Sequence, residues 1–396
     1  MTWPDLPPDD RFGIDNLPYG VFSPPGGAPR VGVRVGDRVL DLAAVLDDPV
    51  FARPALNPFM AQGRGRWTQV RAHVTELLTD RRHQAAVTSH LHPLPDVRLH
   101  LPFEVADYVD FYASEHHATN LGRLFRPGSE PLTPNWKHLP IGYHGRAGTV
   151  VVSGTHITRP RGQRKSSDAP APVFGPTQRL DIEAEVGFVI GTGSALGEPV
   201  STADFHDRVF GVCLVNDWSA RDVQAWEYVP LGPFLAKSFA TSISPWITPL
   251  DALDAAWTTP PARVPEPLPY LADVGKQGLD LSLKVHLNGA VISKPPFASM
   301  YWTGAQMLAH MTINGAASRT GDLYASGTVS GPNAGECGSL IELTQGGAHP
   351  LALPGGGVRT FLEDGDEITL SGTAPGNGGG RIGLGEVTGR IRPALT

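Results

Sequence analysis

Apolar and polar residues alternate with a period of two along Leu180–Ile190, LDIEAEVGFVI, and that period predicts a strand. Leu180, Ile182, Ala184, Val186, Phe188 and Ile190 share one face. Asp181, Glu183, Glu185 and Gly187 share the other. Val209–Val215, VFGVCLV, is instead apolar almost throughout, broken only by Gly211, as in a strand buried on both faces. Polarity returns abruptly at Asn216, Asp217 and Trp218. Ser219 and Asp222 have the spacing of a capping box opening a helix. Arg30–Leu42 alternates around Gly36-Asp37, with Val31, Val33 and Val35 on one face, and predicts a β-hairpin; Asn288-Gly289 predicts another after Leu281–Asn288. Further strands are predicted at Thr149–Val152, from Leu323 (LYASGTVSG), over Phe361–Leu370 and around Gly385–Val387. Trp67–Leu78 and Tyr301–Met311 carry helical patterns. His90–Pro102 reads as a linker and Pro245–Pro269 as a Pro-rich connection. Arg159–Pro176 is a long polar loop, a candidate for closing over a site.

The 396 residues suit two units, a first over 1–102 and a second over 103–396. With 46 Gly and 38 Pro, turns outnumber long helices, and the expected fold class is mainly β, a β-rich α+β chain. A net charge of −7 without a basic block argues against nucleic-acid partners. No apolar stretch is long enough to span a membrane, and MTWPDLPPDD does not read as a signal peptide. Cys213 and Cys337 are too few for a disulfide framework, which fits a reducing, cytoplasmic location.

Glu183 and Glu185 project to the same side. Two carboxylates this close repel unless a cation or a proton lies between them; a solvated strand face carrying alternate Glu is the plainer alternative. Asp217, on the lip of a buried strand, either caps a helix or ligates. Joined by Asp110, these residues form an all-oxygen set suited to Ca2+, Mg2+ or Mn2+ rather than zinc. Asp110, Tyr112, His116 and His117 fall within DYVDFYASEHHATNLGRLF, Asp107–Phe125. Pro134–Ala147, PNWKHLPIGYHGRA, reads as a pocket-lining loop. Lys237 stands alone in an apolar neighbourhood, a surface lysine or a site residue. Glu342 lies between apolar neighbours, so it either hydrogen-bonds a partner or has a raised pKa. There is no internal repeat, P-loop or dinucleotide fingerprint.

The motifs FGIDNLPYGVF, DFYASEHHATN, PNWKHLPIGYHGRA, LDIEAEVGF, NDWSARDVQAWEYVPLGPFLAKSF, ASGTVSG and FLEDGDE occur in this order. Together they resemble the fumarylacetoacetase family in its full-length two-domain form, along almost the whole chain. The resemblance implies a small SH3-like N-terminal barrel, a larger C-terminal β-roll domain and a homodimer. It implies hydrolysis of the carbon–carbon bond of 4-fumarylacetoacetate, a β-diketo dicarboxylate, to fumarate and acetoacetate in tyrosine and phenylalanine breakdown. The metal ligands carry over onto Asp110, Glu183, Glu185 and Asp217, with Ca2+ or Mg2+ expected and Mn2+ also suited. A second cation is implied near Asp217, Lys237 and Thr241, although Ala240 stands where glycine is expected. The base falls on His117 and its orienting carboxylate on Glu342, with Lys237 and Gln224 as oxyanion donors. Substrate contacts fall on Tyr112, Arg126, Tyr143, Gln224, Tyr228 and Thr328. An acylpyruvate hydrolase or another β-diketo acid hydrolase of the same superfamily is the main alternative; a metal-stabilised binding protein that has lost activity is the other.

Overall fold

The computed structural model describes residues 6–7, 9–166, 168–354 and 356–396. In chain order, the N-terminal part supplies β1 (Tyr19–Ser23), β2 (Arg30–Val35), β3 (Arg38–Asp41), α1 (Arg64–Thr79), β4 (Leu91–Pro93) and β5 (Arg98–His100). There follow β6 (Tyr108–Phe111), α2 (Glu115–Phe125), β7 (Gly142–His144), β8 (Ala184–Ile190), β9 (Val209–Asp217), α3 (Arg221–Glu227), β10 (Thr241–Ile243) and β11 (Trp246–Pro249). The last third adds β12 (Ser282–Leu287), β13 (Ala290–Ser293), α4 (Gly304–Thr312), β14 (Leu323–Ala325), α5 (Leu340–Leu343), β15 (Glu367–Pro375) and β16 (Arg381–Arg392).

One mixed sheet runs β4-β3-β2-β1-β11-β9-β8-β14-β6-β7. Tyr19 of β1 pairs with Ile247 of β11, so the N-terminal strands continue into the larger sheet. The expected SH3-like barrel does not close among the described residues: β5 pairs with β1 and β4 with β3, but not with each other. A second sheet runs β13-β12-β15-β16 and ends on Ile157–Thr158.

Both hairpins form where the turn residues predicted them. Asn288 and Gly289 take φ 51° and 83°, the left-handed pair a two-residue turn needs. Helix α1 buries Trp67, Val70, Val74, Leu77 and Leu78, one helical face. Four expectations change. His90–Pro102 is no linker: β4 and β5 lie within it, its prolines falling at a strand end and in the turn between them, where no ladder N–H is required. Within Pro245–Pro269 lies β11. Arg159–Pro176 forms a hairpin between Arg161–Arg164 and Val173–Pro176, with Ser167 outside the described residues. The Ser219/Asp222 capping box is absent. Ser219–Ala220 pairs as a strand with Leu180–Asp181, and Asp222 instead accepts from Thr177 Oγ1 and Gln178 N.

The predicted Leu180–Ile190 strand breaks at Ile182–Glu183, where side chains replace the ladder: Asp181 Oδ1 takes the Ile182 N–H and Asn216 Oδ1 takes that of Glu183. Neither face of β8 is solvated. Val186, Phe188 and Ile190 join Val212 and Leu214 of β9 in the main core. On the other face, Val189, Cys213 and Val215 pack with Tyr19, Val21, Phe59 and Trp67 of the N-terminal part. Both cysteines are free and buried. Among the described residues no helix is long and apolar enough to cross a membrane.

Candidate active site

Sheet register assembles the acidic residues. Glu185 of β8 lies opposite Val215 of β9, and Asp217 lies opposite Thr241 of β10. Gly187 lies opposite Ala325 of β14, which pairs with Asp110 of β6, and Asp110 in turn lies opposite Tyr143 of β7. Opposed residues share a face, as do residues two apart on a strand. Glu185, Asp217, Thr241, Asp110 and Tyr143 therefore project from one face, where the apolar packing against the N-terminal part gives out.

Asp110, Glu183, Glu185 and Asp217 are all buried, and each offers an oxygen within 4.8 Å of the others. Both Glu185 carboxylate oxygens and Asp110 Oδ1 are buried with no hydrogen-bond partner among the described residues. Burial, reinforced by the neighbouring carboxylates, pushes Asp110 and Glu185 well above the usual carboxylate range. Asp217 is raised too, by burial against the pull of Lys237. Burial also opposes charge on Glu183, but Lys237, Arg221 and His117 outweigh it and hold its carboxyl down to about 2. Lys237 Nζ donates to Glu183 Oε2 and, at 2.9 Å, to Asp217 Oδ2. Thr241 Oγ1 and Tyr143 OH also donate to Asp217, at 2.8 and 3.1 Å. Burial disfavours the Lys237 ammonium, yet the surrounding carboxylates raise its pKa above the usual lysine range.

His117 sits in the first turn of α2, where Ser114 caps the helix by accepting the His117 N–H. Its Nδ1 lies 2.7 Å from Glu342 Oε2, and its Nε2 lies 3.9 Å from Glu183 Oε1. Glu342 comes from the single turn of α5 and also accepts from Asn120 Nδ2, Ser330 Oγ and Ser339 Oγ. Desolvation disfavours its charge, but His117, Ser339 and Asn120 hold its pKa below the usual range. An ionised Glu342 accepts only, so the His117 proton facing it lies on Nδ1, and Nε2 faces the acidic cluster. The Tyr112 ring packs edge-on against the imidazole, 5.4 Å away at 84°.

A cavity of about 510 Å³ opens over this arrangement. Asp110, His117, Glu183 and Lys237 line it, together with Tyr112, Arg126, Tyr143, Gln224, Tyr228 and Thr328. Glu185, Asp217, Thr241 and Glu342 lie behind that first layer. Thr328 Oγ1 is buried without a hydrogen-bond partner among the described residues. The wall is completed by Tyr228–Pro233, in which Val229 and Leu231 are largely exposed. Among the described residues, none of Arg159–Pro176, the loop expected from sequence as a candidate for closing over a site, lines the cavity, whereas Tyr228–Pro233 does.

A family model described as "Fumarylacetoacetate (FAA) hydrolase C-terminal" matches residues 107–392, and one described as "Fumarylacetoacetase N-terminal" matches 15–102. The chain belongs to the fumarylacetoacetase family. It is 45% identical to the fumarylacetoacetase of Homo sapiens over 417 residues, covering 100% of this chain and 99% of that protein. Its identity to the fumarylacetoacetase of Arabidopsis thaliana is also 45%, covering 98% of each. A solved fumarylacetoacetate hydrolase from the psychrophilic Exiguobacterium antarcticum superposes with a TM-score of 0.56 over 95% of this chain and 99% of that one. At 17% identity that is a likeness of fold.

As in a metal-dependent member of the fumarylacetoacetase family, the acidic cluster fits a divalent cation. Among the described residues, both Glu185 oxygens and Asp110 Oδ1 are buried without a donor, which is what a hard cation requires, and all four groups offer oxygen. Sequence reasoning missed Arg221. Its Nη1 lies 2.8 Å from Glu183 Oε1 and 3.0 Å from Gln224 Oε1, and its Nη2 is buried with no partner. The signal was an arginine four residues beyond Asp217, directly after the apolar or small Trp218, Ser219 and Ala220. Asn120, Ser330 and Ser339 carried no such signal, because nothing in the chain says that they converge on Glu342.

Proposed function

We propose that this chain hydrolyses the carbon–carbon bond of 4-fumarylacetoacetate, releasing fumarate and acetoacetate. The observation that carries this reading is the His117–Glu342 pair beside four buried carboxylates, two of which, Asp110 and Glu183, line with His117 one cavity that also holds Arg126. Held by Asp110, Glu183, Glu185 and Asp217, Ca2+ or Mg2+, with Mn2+ as a third fit, would supply Lewis-acid polarisation of the diketone oxygens. His117 Nε2 takes a proton from water as its oxygen attacks the fumaryl carbonyl carbon. Glu342 holds the tautomer and stabilises the imidazolium, as the acid does in a Ser-His-Asp triad. The carbon–carbon bond then breaks, its electron pair passes to the acetoacetate fragment as an enolate, and His117 returns the proton to that carbon. Lys237 and Gln224 are donors to developing oxyanions, each worth about 3 kcal/mol. Arg126 grips a substrate carboxylate, while Tyr112, Tyr143, Tyr228 and Thr328 supply hydroxyls to the rest. For a second cation near Asp217 and Thr241, Lys237 would serve through its carbonyl, because its ammonium donates rather than ligates.

We divide the chain near residue 102, which the two family-model spans support, and assign the β-roll to the larger unit. A homodimer agrees with the exposed apolar side chains of Leu231, Phe234 and Leu235 beside the cavity, which a second copy would cover. A cytoplasmic location agrees with the two free, buried cysteines. Purified protein of known metal content, given fumarylacetoacetate and separately acetylpyruvate, tests the substrate. Stoichiometric fumarate from the first alone supports the proposal. Preference for acetylpyruvate moves the protein to the acylpyruvate branch, and inertness toward both favours a binding role.

A further inference from the structure

Asp181 does not line the cavity, and the reaction described above gives it no part. It is nonetheless fully buried (0% exposed) and accepts four hydrogen bonds. Oδ1 takes the backbone N–H of Ile182 at 2.8 Å and of Leu340 at 2.7 Å. Oδ2 takes the N–H of Ile341 at 3.0 Å and Arg221 Nε at 2.8 Å. Leu340 and Ile341 are the first residues of α5, immediately before Glu342. Arg221 reaches on to Glu183 and Gln224. One carboxylate thus grips both the turn that delivers Glu342 and the guanidinium that holds a carboxylate of the acidic cluster.

We propose that Asp181 is a positioning residue that couples the His117–Glu342 pair to the Arg221 side of the cavity. A helix of four residues has little cooperativity of its own and leaves its first N–H groups unpaired. Its placement therefore depends on an outside acceptor, and Asp181 supplies one from a strand fixed by its pairing with Ser219. The same carboxylate fixes the plane of the Arg221 fork, since Nε and Nη1 belong to one rigid group. With Asp181 displaced, Glu342 and Arg221 shift together.

The inference rests on the roles given above to His117 and Glu342. Asp181→Asn keeps the shape but turns an NH2 toward donors, so one side of the grip fails. Its kcat for fumarylacetoacetate is expected to fall about 100-fold, while KM changes less than about threefold. Combined with Glu342→Gln, it should cost clearly less than the product of the two single losses, because part of its effect passes through the His117–Glu342 pair and only the Arg221 part remains. A second readout does not need turnover. The His117 Nδ1 proton, bonded to a buried carboxylate, gives a far-downfield proton resonance, assigned by its loss in Glu342→Gln. Asp181→Asn should shift or abolish that resonance. If Asp181→Asn does not fold, Asp181→Glu keeps the charge yet misplaces both oxygens, and the same pattern is expected. An unmoved resonance, kcat within threefold of wild type, or a double variant whose loss equals the product of the single losses overturns the proposal. Should the wild type fail to hydrolyse this substrate, the functional reading falls and the resonance alone decides the role of Asp181.

Discussion

His117 Nδ1 and Glu342 Oε2 stand 2.7 Å apart although 225 residues separate them in the chain. Two short helices on different parts of the fold meet there, and the contact is buried from solvent. It fixes which imidazole nitrogen is free, and the free one faces the carboxylates and the cavity.

Removing either partner should therefore affect turnover more than binding. His117→Ala is expected to abolish fumarate release while the protein still folds and still binds a divalent cation. Glu342→Gln retains the geometry but loses the charge, and its kcat should drop by about 10³- to 10⁴-fold with KM little changed. Steady-state kinetics with a check on folding by circular dichroism decides this; near-normal turnover by His117→Ala would remove it as the base.

The acidic cluster makes a prediction about stability. Among the described residues, neither carboxylate oxygen of the buried Glu185 has a hydrogen-bond partner. Added Ca2+ or Mg2+ should raise the melting temperature, by the equivalent of about 2.7 kcal/mol at a hundred times Kd. Glu185→Gln relieves repulsion among buried carboxylates, so the stripped variant should melt above the stripped wild type. With saturating cation the order should reverse. Calorimetric melts of both proteins in chelator and in cation test it, and melting curves blind to the cation would count against the site.

Among the described residues, Arg126 is the cavity-lining cation without a carboxylate partner, and its Nη2 donates to the Pro131 carbonyl. Arg126→Ala should raise KM for fumarylacetoacetate by about 10- to 100-fold, the value of a charge-assisted hydrogen bond, with a smaller effect on kcat. An unchanged KM would move carboxylate recognition elsewhere.

Outside the site, Asp366 is buried between β15 and the chain before it. Desolvation disfavours its charge, but Arg359, Asn288 and the Glu363 N–H outweigh it and lower its pKa. A depressed folded pKa contributes stability that is fully present above the ordinary carboxylate value and is lost as pH falls through the folded one. Asp366→Asn should therefore cost about 1–3 kcal/mol at neutral pH, and the gap to wild type should narrow only below about pH 4. Melts from pH 7 to 3 test this; a gap that closes near neutrality would contradict it.

Much of the site was legible because it follows from a period of two. Glu183 and Glu185 share a face by spacing alone, and Asp217 marks the end of an apolar run. The Asn288-Gly289 turn was readable because few residues adopt left-handed φ. Less legible was anything that depends on what covers a face. The acidic side of β8 reads as solvated in sequence, since the residues that bury it, the N-terminal part over Val189 and Asp110, Asp217 and Lys237 around its carboxylates, lie elsewhere in the chain. Asp181 had the parity of Glu183 and Glu185 but points to α5, and no local pattern places Leu340 above it. The FLEDGDE motif was legible as a family mark, yet its Asp366 serves a turn far from the reaction. The N-terminal strands alternate as barrel strands do, and only the pairing of β1 with β11 shows them opening into a larger sheet.

In the proposed reaction, water deprotonated by His117 attacks the fumaryl carbonyl. The most direct test is a reaction in H2 18O with enzyme in excess, quenched early, with both products analysed by mass spectrometry. The account predicts fumarate carrying an oxygen from solvent in its newly formed carboxylate, with the acetoacetate carboxylate unlabelled. Fumarate released without solvent oxygen, or cleavage into any other pair of acids, would contradict it.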